Sequence, residues 1–101
     1  MTLITPEGLA DELHIDQSPE ELKTLTTLIA DASALIRGSI NNNVTDDELL
    51  EVAPDQFNRL VASIAGSLYY DRALSNGLSH GQMILLQQLT GLVQEVSNGN
   101  I

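Results

Sequence analysis

The chain has 101 residues, the size of one ordinary domain, so a deep multilayer enzyme scaffold is not expected. Fourteen acidic against four basic residues give a formal charge of −10, which disfavours direct binding to nucleic-acid phosphates. Cysteine is absent, which excludes a disulfide framework, thiolate metal ligands and a cysteine nucleophile. Hydrophobic residues make up 43%, too many for a disordered acidic tail. The start of the sequence lacks a signal-peptide pattern, so we expect the protein to stay in the cytoplasm of the cell that makes it.

The first predicted element is a short helix near the amino terminus. Thr5 is a suitable cap, Pro6 suits the first helical position, and Glu7 meets the positive end of the helix dipole. We expect this helix to run to about Leu13, before a break at Asp16-Gln17.

A long amphipathic helix is predicted next. Ser18 and Glu21 have the spacing of a capping box, with Pro19 at the first helical position. Apolar residues then recur at alternating steps of three and four, at Leu22, Leu25, Ile29, Ala32 and Ile36. This pattern predicts one buried face on a helix that ends near Ile40.

The second half of the chain contains three further helical patterns. Thr45-Asp46-Asp47-Glu48 is expected to cap a short turn, and Pro54 to open a second long helix that ends between Arg72 and Leu74. A last helix is predicted from about Ser79, followed by a flexible tail at about 97–101.

No segment alternates with period two for long enough to predict a strand. The sequence therefore predicts a single all-α domain over residues 1–101. It is expected to be a small bundle of about four helices: two long central helices, a short amino-terminal helix and a carboxy-terminal helix.

The charge is distributed unevenly along the chain. Residues 1–53 contain eleven acids and two bases, whereas residues 54–101 contain three acids and two bases. No charged residue lies between Ala73 and Gln94, although polar residues interrupt the apolar run too often for a membrane span. The last helix is thus either buried, with a glutamine- and serine-rich outer face, or a subunit interface, and we favour the interface. The interface candidates on this helix are Met83, Leu86, Leu89 and Val93.

Several patterns in the sequence look catalytic and are better explained by structure. Gly77-Leu78-Ser79-His80-Gly81 matches G-x-S-x-G, but a nucleophile elbow needs a preceding strand and a large sheet. We interpret it as a loop between helices in which Ser79 caps the next helix. Asp46-Asp47-Glu48 with Glu51 lacks the spacing of a calcium loop and fits a solvated helix start.

The remaining chemistry-bearing residues form no predicted site. His14 and His80 are the only histidines, and neither has the spacing of a metal site. No glycine leads into a phosphate-binding loop. We predict no catalytic, cofactor-binding or metal-binding residue, and expect a helical interaction module that is not an enzyme and needs no cofactor.

Two regions of the chain resemble a known family. The first region is residues 9–16 followed by 25–32, and the second is residues 60–72. In order and spacing they resemble the head–tail connector family of tailed bacteriophages. Members of this family are also called head-completion or DNA-packaging adaptors. Members open with a helix ending in Leu-x-Ile-Asp, continue with Leu-Ile-x-x-Ala, and end a third helix in Leu-Tyr-x-x-Arg. The last motif is represented here by Leu68, Tyr69 and Arg72, and the resemblance covers roughly residues 3–90.

The sequence departs from the family pattern at two places. The family often has a basic residue after the first motif and another near the end of the chain. This chain has His14 at the first place and Gln87-Gln88-Leu89 near the second.

The resemblance implies a small all-α subunit that assembles with copies of itself into a ring beneath the phage portal protein. Such a ring extends the DNA channel and provides a docking platform for the next head-completion or tail protein. It implies a location at the head–tail junction of the virion, with assembly in the host cytoplasm. It implies neither a cofactor, nor sequence-specific nucleic-acid binding, nor a membrane.

The pair Tyr69 and Arg72 has a structural interpretation as well. Residues three apart on one helix are neighbours, so the pair is expected to stabilise the helix end. Arg72 is also expected to reach an acid such as Asp31 or Asp71, or a neighbouring subunit.

Two other functions remain open from the sequence. A small acidic protein can mimic DNA and inhibit a nucleic-acid-binding protein. Such a mimic is expected to carry acids along an entire elongated face, whereas the acids of this chain are concentrated in its first half. A generic helical dimerisation module is the other alternative.

Overall fold

The computed structural model describes the backbone of residues 2–41 and 43–99 and the side chains of these segments as far as Gln94. This part of the chain contains five α-helices and no strand, which confirms the all-α prediction. The helices are α1 (Pro6–Leu13), α2 (Pro19–Ile40), α3 (Asp46–Val52), α4 (Pro54–Tyr70) and α5 (His80–Gly99).

The first two helices have the predicted bounds, and the second half differs from the prediction in detail. The short capped turn expected after Thr45 is a helix of seven residues, so the bundle has five helices instead of four. The predicted flexible tail begins inside α5, because residues 97–99 continue that helix; residues 100 and 101 lie outside the described residues. Once a helix is formed, each further residue adds a hydrogen bond without the cost of nucleation, so weak helix formers are tolerated at its end.

Helix α4 ends at Tyr70, earlier than the predicted end between Arg72 and Leu74. The cause is Asp71, which adopts extended backbone and accepts hydrogen bonds from the backbone N–H groups of Ala73 and Ser75 at 3.3 and 2.8 Å. An aspartate that binds the backbone ahead of it favours a turn over a continued helix. Arg72 therefore lies in the loop that follows α4.

Side-chain caps define the starts of four helices. The residue before each of these helices has a hydroxyl oxygen that accepts a hydrogen bond from the backbone N–H three residues later. These capping residues are Thr5, Ser18, Thr45 and Ser79. A cap of this kind contributes about 1 kcal/mol. Helix α4 has no such cap and begins directly with Pro54 after Ala53.

The core lies between α2 and α4, which form the most extensive helix pair. Fully buried side chains come from every helix, and the largest are Phe57, Leu9, Leu25, Ile36, Leu49, Leu60, Ile64, Leu89 and Val61. The predicted apolar positions of α2 face this core, with Leu25, Ile29, Ala32 and Ile36 buried and Leu22 half-buried. Helices α1, α3 and α5 pack around the central pair.

The segment before α1 is attached to α4 by one side chain. The Oδ1 atom of Asn58 accepts a hydrogen bond from the backbone N–H of Ile4 at 2.8 Å, and its Nδ2 donates to the carbonyl of Thr2 at 2.9 Å. This clamp holds Leu3 and Ile4 against the core, where both are partly buried.

Helix α1 approaches α4 closely at Gly66. A Cβ atom at this position would lie 3.3 Å from Cδ2 of Leu13, tighter than an ordinary van der Waals contact. The glycine therefore lets Leu13, the last residue of α1, pack onto α4.

Candidate interaction surfaces

The segment Leu13-His14-Ile15-Asp16 forms the carboxy-terminal cap of α1. His14 is in the left-handed region with φ 58°, the N–H of Ile15 donates to Ala10 at 2.8 Å, and the N–H of His14 donates to Asp11 at 3.3 Å. These two bonds are those of a Schellman motif, in which glycine is the usual residue at the left-handed position. The imidazole of His14 is exposed. The motif thus serves to end a helix and to turn Leu13 and Ile15 toward the core.

Tyr69 lies near the end of α4, and its side chain is half-buried. Its phenol donates a 2.6 Å hydrogen bond to Oε2 of Glu21, in the first turn of α2. This bond is the main cause that raises the pKa of Tyr69, with burial and the charge of Glu21 adding to it. The ring also packs edge-on against Tyr70, with centroids 5.1 Å apart. Tyr69 therefore joins the two long helices, through a contact different from the one expected with Arg72.

Tyr69 and Arg72 were predicted to be neighbours on one helix. This prediction is wrong, because α4 ends at Tyr70 and Arg72 lies beyond it. Arg72 is exposed, and within the described residues it forms no ion pair with Asp31 or Asp71. The side chain is free to contact another molecule.

The interface candidates divide into buried and accessible residues. Leu68, Leu86 and Leu89 are at most 8% exposed and belong to the core of the single chain, so they are not available to a neighbouring subunit. Val93 is half-buried against the same core. Met83, at 40% exposure, is accessible. In the single chain, Leu68 on α4 and Leu86 and Leu89 on α5 face the core, and Met83 is the α5 candidate with the most exposed side chain, so the interface on α5 stays a prediction.

The outer face of α5 is a separate surface. It consists of the exposed residues His80, Gly81, Met83, Ile84, Gln87, Gln88, Gly91 and Gln94. None of these side chains is an aspartate, glutamate, lysine or arginine, and Met83 and Ile84 are exposed large hydrophobics. As far as Gln94, where the described side chains end, helix α5 therefore presents an inner face that completes the core and an outer face without aspartate, glutamate, lysine or arginine.

The G-x-S-x-G segment forms a reciprocal helix cap. Ser79 Oγ accepts from the N–H of Gln82 at 3.1 Å, and Gln82 Oε1 accepts from the N–H of Ser79 at 2.9 Å. Gln82 is only 5% exposed, and its Nε2 donates to the hydroxyls of Ser63 and Ser67 at 3.0 and 2.9 Å. The interpretation of Ser79 as a cap is confirmed, and the segment contains no strand.

An open groove of about 460 Å³ runs along α4 beside the end of α1. Small residues of α4 form its floor, and its lining is Glu12, Leu13, Arg59, Ala62, Ser63, Gly66, Ser67 and Tyr70. Tyr70 is 72% exposed at one end of the groove. A glutamate and an arginine in the lining leave this groove with no strong charge of either sign.

The acidic start of α3 is held to α2 by one ion pair. Nε of Arg37 lies 3.0 Å from Oδ1 of Asp46, although the N–H is not directed well enough to count as a hydrogen bond. Both side chains are about one-third exposed, so water screens the attraction. In the described residues, no three acidic, histidine or cysteine side chains come together in a way that could hold a metal ion.

Sequence reasoning missed Arg37 and Gln82, and it assigned Glu21 only to the cap of α2, whereas the carboxylate of Glu21 binds Tyr69. The S-x-x-Q spacing of Ser79 and Gln82 would have predicted the cap from the sequence. The bonds of Glu21 to Tyr69 and of Gln82 to α4 depend on how the helices pack, and no local pattern reports them.

None of the described helices is long and apolar enough to span a lipid bilayer. Comparison with known protein families, with curated proteins and with solved structures finds no match to this chain.

Proposed function

We propose that this chain is a structural subunit of a phage virion, a head–tail connector that assembles as a ring beneath the portal. The ring extends the DNA channel and offers a platform to the next head-completion or tail protein. The resemblance of residues 3–90 to the connector family suggests this function. The observation that supports self-assembly most directly is the outer face of α5, whose described side chains, as far as Gln94, include no aspartate, glutamate, lysine or arginine in a chain of net charge −10.

The family motifs have structural roles that are consistent with this proposal. Leu13-His14-Ile15-Asp16 ends α1, and Tyr69 joins α4 to α2 through Glu21. Residues that build the scaffold of a subunit are the ones a structural family is expected to share. Arg72 is exposed beyond α4, where it is accessible to a neighbouring subunit or to the portal.

The distribution of acids is consistent with a subunit that lines a passage for DNA. None of the eleven acidic side chains in residues 1–53 is buried. A negatively charged wall repels phosphate, so DNA would pass such a channel without adhering to it. A ring in which these acids face outward would contradict this part of the proposal.

The test is assembly with the portal protein of the same virus. The chain is mixed with purified portal rings, and the products are examined by native mass spectrometry and electron microscopy. We expect a closed ring of this chain on one end of the portal, with its subunit number read from the mass. No binding to the portal at any ratio would refute the connector function.

The same acidic surface favours one competing function, a DNA mimic that inhibits a nucleic-acid-binding protein. This alternative predicts salt-dependent inhibition of such a protein, because the contacts would be carboxylates in place of phosphates. Inhibition together with failure to bind the portal would favour the mimic. A stable dimer that neither binds the portal nor inhibits would favour a generic dimerisation module.

A further inference from the structure

We propose that neighbouring copies of this chain exchange their amino-terminal strap, which is residues 2–4, so that the strap of one copy lies in the Asn58 clamp of the next. The inference rests on the ring of the proposed function and specifies one contact within it. Each copy gives its strap to one neighbour and receives a strap from the other, always in the same direction. A head-to-tail contact of this kind forms a ring when its rotation closes.

The structure shows what the clamp binds, because the chain's own strap occupies it. Oδ1 of Asn58 accepts a hydrogen bond from the N–H of Ile4 at 2.8 Å, and Nδ2 donates to the carbonyl of Thr2 at 2.9 Å. Both partners are main-chain groups, and the apolar side chains of Leu3 and Ile4 pack against the core beside them. The strap of a second copy offers the same groups and the same side chains, so it fits the clamp equally well.

The strap is weakly attached to its own chain. Within the described residues, its hydrogen bonds to the rest of the fold are the two bonds to Asn58, and Leu3 and Ile4 are only partly buried. Segments with few buried contacts open at a small fraction of the free energy of global unfolding. The strap is therefore expected to leave the clamp while the helices remain folded.

Helix α1 keeps its own start when the strap leaves. The hydroxyl of Thr5 accepts a hydrogen bond from the N–H of Gly8 at 3.0 Å, and Pro6 occupies the first helical position. Because Thr5 is held in this cap, and a residue before proline is confined to extended backbone, the strap turns about the link between Ile4 and Thr5. Three residues span about 10 Å, so the donor's α1 must begin next to the acceptor's clamp.

An open cleft of about 350 Å³ lies beside the strap, so the seat of the strap is accessible from outside the chain. The lining also contains Arg37 and Asp46, which are paired and offset each other's charge. One wall of the cleft is Leu3, Ile4 and Pro6, and the other wall includes Thr26, Ile29 and Ala30 of α2.

The charge of the chain favours the strap for a contact between identical copies. Two chains of net charge −10 repel each other wherever their acidic faces approach. Residues 2–6, by contrast, carry no charged side chain. A second copy therefore brings this segment to the cleft with less repulsion than it would bring an acidic helix.

Proximity decides which clamp the strap occupies, because the contacts are the same in both. A short tether holds the strap near its own clamp at an effective concentration on the order of 1 mM. A free chain at micromolar concentration therefore keeps its own strap. Neighbours held side by side in a ring present their clamps at a similar effective concentration, and the exchange then links the copies.

The first test mixes two variants that each retain one half of the contact. Asn58→Ala removes the clamp and leaves the strap free, whereas Leu3→Ser/Ile4→Pro removes an apolar side chain and the N–H that binds the clamp. The strap of the first variant fits the empty clamp of the second. In sedimentation equilibrium at about 1 mM, the mixture is expected to associate at least tenfold more strongly than either variant alone.

The matched control mixes Asn58→Ala with a variant that carries all three substitutions, so that a strap is present but no clamp. This mixture should stay monomeric, and every variant should unfold cooperatively, because α1 retains its cap at Thr5. If the first mixture associates no more strongly than the control, the exchange is overturned, whatever the portal assay shows.

The second test leaves the clamp intact and asks where the strap lies in the ring. In this cysteine-free chain, Leu3→Cys and Thr26→Cys place thiols on opposite walls of the cleft, where a short bismaleimide joins them. The free chain should be crosslinked within itself, whereas the portal-bound ring should give a ladder of covalently linked copies. Leu3→Cys combined with Ala34→Cys, which is exposed on α2 outside the cleft, should give neither product. Crosslinks that stay within single copies of a portal-bound ring would refute the exchange and leave the connector function standing.

Discussion

The phenol of Tyr69 and the carboxylate of Glu21 are joined by a hydrogen bond of 2.6 Å, which connects the end of α4 to the start of α2. The two residues are 48 positions apart in the sequence, so the bond forms only when the two long helices are docked. A short bond from a hydroxyl to a carboxylate is stronger than one between neutral groups. It therefore acts as a tie across the central helix pair.

Removing this tie should destabilise the fold. Tyr69→Phe and Glu21→Gln are each expected to lower the midpoint of urea unfolding at pH 8, because each deletes or weakens the charge-assisted bond. The double variant should lose less than the sum of the two, since both changes act on one contact. Tyr70→Phe is the control. Because Tyr70 is exposed, this substitution should change the midpoint of urea unfolding little. Fully additive losses would show that the two side chains act independently.

The stabilisation by Tyr69 should disappear in alkali. The folded state raises the pKa of Tyr69 above its ordinary value of 10, with the hydrogen bond to Glu21 as the largest cause. The contribution is therefore fully present below pH 10 and is lost as the pH rises through the folded pKa. The difference in unfolding free energy between the unaltered chain and Tyr69→Phe should be constant from pH 7 to about pH 9.5 and shrink above pH 10.

A spectroscopic measurement follows the same group directly. In a Tyr70→Phe background, Tyr69 is the remaining tyrosine, and its ionisation is read from the absorbance of tyrosinate. The midpoint should lie above 10 and move back toward 10 when Glu21 is replaced by Gln. A midpoint that does not respond to Glu21→Gln would contradict the assigned cause.

The end of α1 allows a change that should stabilise the protein. His14 adopts φ 58°, a conformation that costs a residue with a Cβ atom about 1 kcal/mol or more, whereas glycine adopts it without strain. His14→Gly is therefore expected to increase the free energy of unfolding by up to about 1 kcal/mol. His80→Gly is the matched control: the same substitution at the first residue of α5 should be neutral or destabilising. Equal effects at the two positions would disprove the argument from backbone strain.

Helix starts were the most predictable part of this fold, because their signals are local. Thr5, Ser18, Thr45 and Ser79 each cap a helix within three residues, and the sequence shows each of them. The end of α4 was less predictable, because Asp71 stops the helix through bonds to the loop that follows. Periodicity also showed that α5 is apolar without deciding which side faces the core. Packing against α4 decides this, and it buries Leu86 and Leu89 while leaving Met83 exposed.

The ion pair between Arg37 and Asp46 should contribute little. Its atoms are 3.0 Å apart, but both side chains are about one-third exposed, so we expect Asp46→Asn to cost less than about 1 kcal/mol. The cost should fall further at about 1 M salt, where screening acts over about 3 Å. Asp47→Asn is the control, because Asp47 is exposed and its replacement also removes one negative charge from the first turn of α3. A salt-dependent loss in Asp46→Asn that Asp47→Asn does not show would establish the pair.

Gln82 is the buried polar residue on which the attachment of α5 depends most. Its amide makes three side-chain hydrogen bonds, one to the backbone of Ser79 and two to Ser63 and Ser67 on α4. Gln82→Leu should destabilise the fold by about 1–3 kcal/mol, because the bonds are lost in a site that is 5% exposed.

Comparison with the cap residue separates the two roles of Gln82. Ser79→Ala removes only the cap and should cost about 1 kcal/mol. The double variant should cost less than the sum, because Ser79 and Gln82 cap each other. Gln56→Leu, an exposed glutamine on α4, should change stability by less than about 0.5 kcal/mol. If Gln82→Leu were as mild as Gln56→Leu, the bonds from Gln82 to α4 would not be what fixes the start of α5.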